Sequence, residues 1–427
     1  MLVMLVGIVD TFVVSYAGEE AVSGVSLVNS FNTIFIFLFT ALASGGAVVI
    51  SQYLGRKEKE KASQAVSQLL TVSTLFSLEM MLLVLLLNRL LLQALFGRVD
   101  SKVMEACITY LQISAYSYPA LAIYNAGAAL YRSIGKTSTT MYISIISNII
   151  NAIGSCIGVF ALNAGVAGVA WPSLIARTFS AAAITVLCFR NSHEISYGVK
   201  WIFAWNTRLQ KSILSIAVPN GLESGIFQFV KVALSSVVAL FGTYQIAANG
   251  IAQSFWSVAA LVCVTMGPIF ITVIGQCMGS GDIGQAEYYF KKLIKITLIF
   301  AIVWNVFVFA LIPLLVNGYA VNNETKHLVI WLVLIHNIFS ATAFPFADPL
   351  GKGLRATGDI KFTTVVSIVT TVGIRLVFSI FFAIVLDMGV IGIAWAMCLD
   401  WIVRGIIFWL RFKSGKWKEF KVIKEET

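Results

Sequence analysis

The sequence predicts an all-α polytopic membrane protein with about 12 transmembrane helices in two pseudo-symmetric six-helix lobes. Composition, the spacing of charge clusters and an internal repeat carry that prediction. Of 427 residues, 59% are hydrophobic and 12% charged, with a mean hydropathy of +0.88. Soluble domains run at about 45–50% apolar and about 25% charged. The surplus apolar surface has no place in one water-soluble core. Each span needs about 20 apolar residues, and about 35 residues per span plus loop gives about 12 spans. Soluble enzymes, nucleic-acid-binding modules and disordered scaffolds are excluded. Only 7 prolines interrupt the chain, and the alternating polarity of a membrane β-barrel is absent, so the spans are helices.

Apolar runs between charge clusters place the first six spans at 1–17, 25–53, 63–92, 105–131, 138–162 and 164–190. The second six lie at 212–240, 244–277, 288–316, 325–352, 359–386 and 388–411. The amino-terminal lobe is thus 1–190, the linker 191–211, the carboxy-terminal lobe 212–412, and the basic tail 413–427. The apolar start runs directly into the bundle, and no cleavable signal peptide is expected. Trp201 and Trp205 in the linker are expected at the bilayer interface.

Net charge is +10, and its distribution gives an orientation rather than a nucleic-acid partner. The loops after spans two, four, six, eight and ten, with the tail, hold 22 of the 30 Lys and Arg, among them Lys57, Arg132, Lys200, Lys291 and Lys361. The opposite loops hold four: Arg89, Arg98, Lys102 and Lys326. By the positive-inside rule both termini face the cytoplasm.

The halves repeat. Gln52, Gly55 and Ala62 recur 224 residues later as Gln276, Gly279 and Ala286, and Arg132 and Gly135 recur at 223 as Arg355 and Gly358. The segment Gly165–Trp171 recurs at 224 as Gly389–Trp395. An even number of spans per repeat gives both halves the same orientation. Two bundles related by an axis along the membrane normal, flanking a polar cavity and able to rock, are the expectation.

Val9-Asp10-Thr11, Ser51-Gln52-Tyr53-Leu54-Gly55 and Leu130–Thr137, with Asn148 and Asn151 after them, resemble the multidrug and toxic compound extrusion (MATE) transporters. The second half is the closer match, in Pro219–Glu223, Ile246–Asn249, Leu354–Asp359 and Cys398–Arg404. The resemblance covers nearly the whole chain in the expected order. It implies a twelve-helix, two-lobed efflux transporter, a monomer of the prokaryotic plasma membrane, exchanging drugs or metabolites for Na⁺ or H⁺. Family members have about half a span more before the Asp-Thr pair of the first helix, so Met1 resembles a truncated start.

A charge at the bilayer centre costs at least about 2.5–3.5 kcal/mol, so each intramembrane charge needs a partner or a purpose. Asp10 matches the family's acidic residue in the amino-terminal lobe, which the resemblance makes the coupling-ion site, for H⁺ or for Na⁺. Asn151 matches the helix-five amide, and Ser155 stands where some members have a carboxylate. The carboxy-terminal polar cavity is expected to hold Glu223, Lys231, Asp348, Arg375, Asp400 and Arg404. Asp400 and Arg404 are spaced to pair on one helix. Arg375 needs neutralising by Asp348, Asp400 or Glu223. Glu79 and Arg177 are expected to make local pairs. In several members the helix-seven glutamate falls one turn after Glu223, at Phe227 or Gln228 here.

No cofactor other than the coupling ion is expected. The partners are a small-molecule substrate and membrane lipid, without nucleic acid. Gly135-Lys136-Thr137 resembles the end of a P-loop, but Leu130 occupies the required glycine position and no strand precedes it. The six cysteines are scattered, and His193, His327 and His336 form no metal pattern. The alternatives are a lipid-linked oligosaccharide flippase of the same superfamily and an intramembrane enzyme, for which no convergent nucleophile or acid–base set is present. The 30 phenylalanines, 13 tyrosines and 10 tryptophans suit a planar hydrophobic cationic substrate and suit lipid contact equally well.

Overall fold

Long apolar runs become long helices because a chain in hydrocarbon must satisfy its own backbone polar groups. The structure, a computed structural model, describes residues 13, 14, 16, 18–96, 100–190, 195–317 and 322–423. Contacts divide the chain into two compact units. One comprises the chain up to Ile50 with Glu58–Val218, and the other Ser51–Lys57 with Pro219 onward.

The first unit opens with α1 (Glu19–Gly55) and α2 (Lys59–Phe96). α3 (Ser101–Ala115) starts at Asp100, whose carboxylate accepts a bond from the Lys102 amide at 2.8 Å, as a good N-cap does. α4 (Tyr118–Ser133) carries Pro119 in its first turn, where the missing N–H costs nothing. The fourth expected span is therefore two helices, broken at Tyr116–Ser117. α5 (Thr137–Cys156) runs into a π-helical turn over Ile157–Ala161, and α6 (Ala167–Phe189) lies beside it. Their backbones touch at Gly158 and Gly168, where a Cβ on either residue would collide with the other's carbonyl. This is the small-residue packing expected of helices in lipid. The core of this unit gathers Phe35, Phe39, Val84, Leu111 and Tyr118.

The linker is not a free loop. A short helix, α7 (Val199–Phe203), lies against α2. The buried Gln68 donates to the carbonyls of Trp201 and Ala204, both at 2.6 Å, and accepts from the Asn206 amide at 3.1 Å. Thr71 donates to the Ile202 carbonyl at 2.8 Å. Trp205 is left exposed, while the Lys200 ammonium lies 5.1 Å from the Trp201 ring.

α8 (Thr207–Val238) contains Pro219, where the division between units falls. In the second unit α9 (Thr243–Ala259) and α10 (Leu261–Gly279) divide the eighth expected span at Ala260. α11 (Ile283–Asn317) follows. The tenth span is α12 (Asn323–Thr342), α13 (Phe344–Ala347) and α14 (Pro349–Thr357), bent by 56°. Gly358, with φ of +109°, closes α14 in the left-handed conformation that favours glycine. α15 (Ile360–Val369) passes through a π-helical stretch, Thr370–Leu376, into α16 (Val377–Ile380) and a second π turn, Phe381–Val385. α17 (Gly389–Lys413) is the central helix, burying Cys398, Asp400 and Trp401.

Among the described residues nine helices are each long and apolar enough to cross a membrane, or ten with the bent α12–α14 pair taken as one span. The Gln-x-x-Gly repeat meets itself inside the second unit. A Cβ on Gly55 would strike the Gln276 carbonyl, and one on Gly279 the Gln52 carbonyl. Gln52 also donates to the Ala356 carbonyl at 2.8 Å.

Candidate functional site

The six polar residues expected in one carboxy-terminal cavity separate into distinct groups. Glu223 bonds Arg355 at 2.5 Å, and Arg355 also reaches Asn220 at 2.5 Å. Asp348 bonds Lys352, one turn along, at 2.7 Å. Neither carboxylate is offered to Arg375. The matched Leu354–Asp359 segment ends α14, and Arg355 there holds Glu223. Lys231 is exposed on α8 and forms no ion pair with the described residues.

The third group is buried. Asp400, with no exposed surface, accepts from Arg375 at 2.8 Å and from Arg404 at 2.7 and 2.9 Å. Arg404 donates further to the hydroxyls of Thr370 at 3.0 Å and Thr371 at 2.7 Å. Arg375 lies in the π-helical stretch, its guanidinium 4.8 Å from the Phe227 ring centre. Its Nε–H is buried with no hydrogen-bond partner, as are the Trp256 indole N–H and the Ser379 hydroxyl. Trp256 stacks on Trp401 at 5.9 Å, and the buried His336 ring lies 6.4 Å from Trp401. Two guanidiniums share one carboxylate here.

In the first unit, Asn151 and Ser155 face inward one turn apart on α5, both buried. Asn151 accepts from Ser173 at 2.9 Å, and the Ser155 hydroxyl is buried without a partner. Asp10 lies outside the described residues. Sequence reasoning missed a network nearby in the same unit. Asn32 donates to Ser114 at 3.1 Å and accepts from Tyr118 at 2.7 Å. Arg177, expected to find a local acid, instead donates to the Ser117 hydroxyl at 2.7 Å, and Ser117 donates to the Ser114 carbonyl at 2.6 Å. Among the described residues it has no ion pair, and exposed Glu79 has none either. An asparagine in the middle of a long membrane-spanning run was the available signal for Asn32. Beneath the linker lies an apolar cavity of about 400 Å³, lined by Leu70, Thr71, Ile123, Thr185, Ile202 and Trp205 among others.

The tail packs onto the second unit. Trp417 is fully buried, stacked on Phe412 at 5.8 Å and donating to the Phe412 carbonyl at 2.9 Å. Lys418 pairs with Glu287 at 2.6 Å, and Arg56 donates to the Ile423 carbonyl at 3.0 Å. Glu287 lies between Lys291 and Lys418. Arg411 grips Asp359 through two bonds, at 2.6 and 3.2 Å.

Comparison with known proteins agrees with this architecture. The MatE family model matches residues 1–157 and again 219–381, one segment in each half. The "Uncharacterized transporter YisQ" of Bacillus subtilis is 24% identical over 424 residues, covering 97% of this chain and 91% of its own. A "Probable multidrug resistance protein NorM" of Thermotoga maritima is 21% identical over 437 residues, covering 100% and 92%. Among solved structures, "Crystal structure of MATE in the bent conformation" superposes with a TM-score of 0.87 at 18% identity, covering 97% of this chain and 91% of the other. An outward-facing "multidrug resistance MATE family transporter of the MOP superfamily" gives 0.86 at 19%, covering 97% and 92%. The flippase alternative gains no support from these likenesses. With the model matched over most of the chain and in both halves, this multi-pass membrane protein belongs to the MatE family, that of the multidrug and toxic compound extrusion transporters.

Proposed function

We propose that the protein extrudes small hydrophobic organic molecules from the cytoplasm by secondary active antiport against Na⁺ or H⁺. The observation that carries this reading is the MatE match in each of the two halves. Equivalent halves that rock against one another can present a substrate path first to one side and then to the other. The aromatic content that suggests a hydrophobic cation speaks to the frame of the substrate more than to its charge.

Coupling belongs to Asp10, supported by Asn151 and Ser155 on the inward face of α5. An ionised carboxylate in a partly dry setting is a good acceptor for a proton or, with amide and hydroxyl oxygens, for Na⁺. Antiport then requires only that cation and substrate favour different states of the transporter. Asp10→Asn keeps the shape and removes the charge. The test is efflux in proteoliposomes with Na⁺ and pH gradients imposed separately. The expected outcome is loss of gradient-driven efflux in Asp10→Asn with normal expression. Wild-type rates in that variant under either gradient would make Asp10 structural.

A further inference from the structure

We propose that the second unit holds a subsite for an anionic group, so that the molecules exported include hydrophobic organic anions such as aryl sulfonates and carboxylates. This rests on the efflux reading and names a substrate class for it. Half-buried and buried acids of this unit are assigned as follows. Glu223 is matched by Arg355, Asp348 by Lys352 and Asp359 by Arg411. Asp400 alone faces both Arg375 and Arg404. That leaves one positive charge in excess inside the unit, in surroundings where an unmatched charge is costly.

The unfilled hydrogen-bonding capacity is of the matching sign. Arg375 is 5% exposed, and its Nε–H has no partner. The Trp256 indole N–H, which can only donate, is also buried and unmet. Phe227 covers the Arg375 guanidinium from α8, and exposed Lys231, one turn further along the same helix face, adds a second cation without an ion pair among the described residues. Half-buried Trp256, stacked on the buried Trp401, supplies flat apolar surface in the same unit. Arg375 itself sits on a π-helical stretch, a distortion frequent at functional sites. An arriving sulfonate or carboxylate would neutralise the excess and accept from the guanidinium edge. A cationic substrate would meet no free carboxylate among these groups.

The test uses one frame with two charges: 2-naphthalenesulfonate and 2-naphthyltrimethylammonium, titrated against the purified full chain in detergent and followed by tryptophan fluorescence. The sulfonate should bind about tenfold or more tightly than the ammonium, the scale of one charge-assisted hydrogen bond. Arg375→Gln, which leaves Asp400 its Arg404 partner, should remove that preference. Equal or tighter binding of the ammonium by wild type would overturn the proposal whether or not the variant folds. So would unchanged sulfonate affinity in Arg375→Gln, or complete displacement of sulfonate by phosphatidylglycerol but not by phosphatidylcholine, which would give the charge to a lipid headgroup. Because binding is read without a gradient, its failure is distinct from failure of antiport in proteoliposomes.

Discussion

Asp400 is the residue on which the second unit's electrostatics turn. It is fully buried between Arg375 and Arg404, and removing its charge leaves two guanidiniums facing each other without a counter-ion. Breaking a buried pair this way costs about 3–5 kcal/mol. Asp400→Asn should therefore lower the thermal midpoint of the purified protein well below that of Arg375→Gln, in which a one-to-one pair survives. Equal midpoints would show that Arg375 is as necessary to the fold as its acid. The i, i+4 pair of Asp400 and Arg404 was legible in the sequence because a helix fixes that spacing. The bond to Arg375 was narrowed to three acids by the cost of an unpaired charge. Choosing among them required knowing that Arg355 and Lys352 already hold Glu223 and Asp348.

At the scale of the element, the close pair α5–α6 depends on two glycines whose backbones meet. A methyl group on Gly158 would collide with the Gly168 carbonyl, and one on Gly154 would lie 2.7 Å from the Pro172 side chain. Gly158→Ala should force the helices apart at an overpacking cost of about 1–3 kcal/mol, read as a lower thermal midpoint. Since Asn151 and Ser155 lie on the same helix, it should also alter gradient-driven efflux. A variant with unchanged midpoint would mean that the helices slide without loss. The sequence located these helices through their apolar runs but joined the broken ones. Spans four and eight each read as one run because the breaks at Tyr116–Ser117 and Ala260 introduce no charge and little polarity. The π-helical stretch under Arg375 is likewise invisible to hydropathy, since it changes hydrogen-bond register without changing composition.

For the molecule as a whole, the tail and the linker are structural parts. Trp417 is fully enclosed by Phe290 and Phe412, with Lys418, Arg56 and Arg411 fixing the chain around it. Trp417→Ala should cost about 3–5 kcal/mol, the range for emptying a large aromatic site. Thermal denaturation of the detergent-solubilised protein measures it, and no change would show the tail to be dispensable. The 22-to-4 imbalance of basic residues further predicts that cysteines placed at Lys57 and Lys200 react with an impermeant thiol reagent only from the cytoplasmic side. Labelling from outside would invert the topology.

The sequence by itself determined the membrane class, the order of the spans and their sixfold-by-two repeat, while the family rested on the likeness of segments such as Leu354–Asp359 to the MATE transporters. The first three follow from transfer free energy summed along the chain and from local spacing, neither of which needs a partner. It also placed Asn151 and Ser155 on one helix face, because 3.6 residues per turn leaves no choice. Only the tertiary structure decided which charges meet. Side chains distant in sequence, such as Asp400 and Arg375 or Asn32 and Tyr118, compete for partners across helices, and the outcome depends on packing distances of a few ångströms. The excess positive charge of the second unit belongs to that level. Every contributing residue was visible in the sequence, but the excess appears only once each acid is assigned to its base.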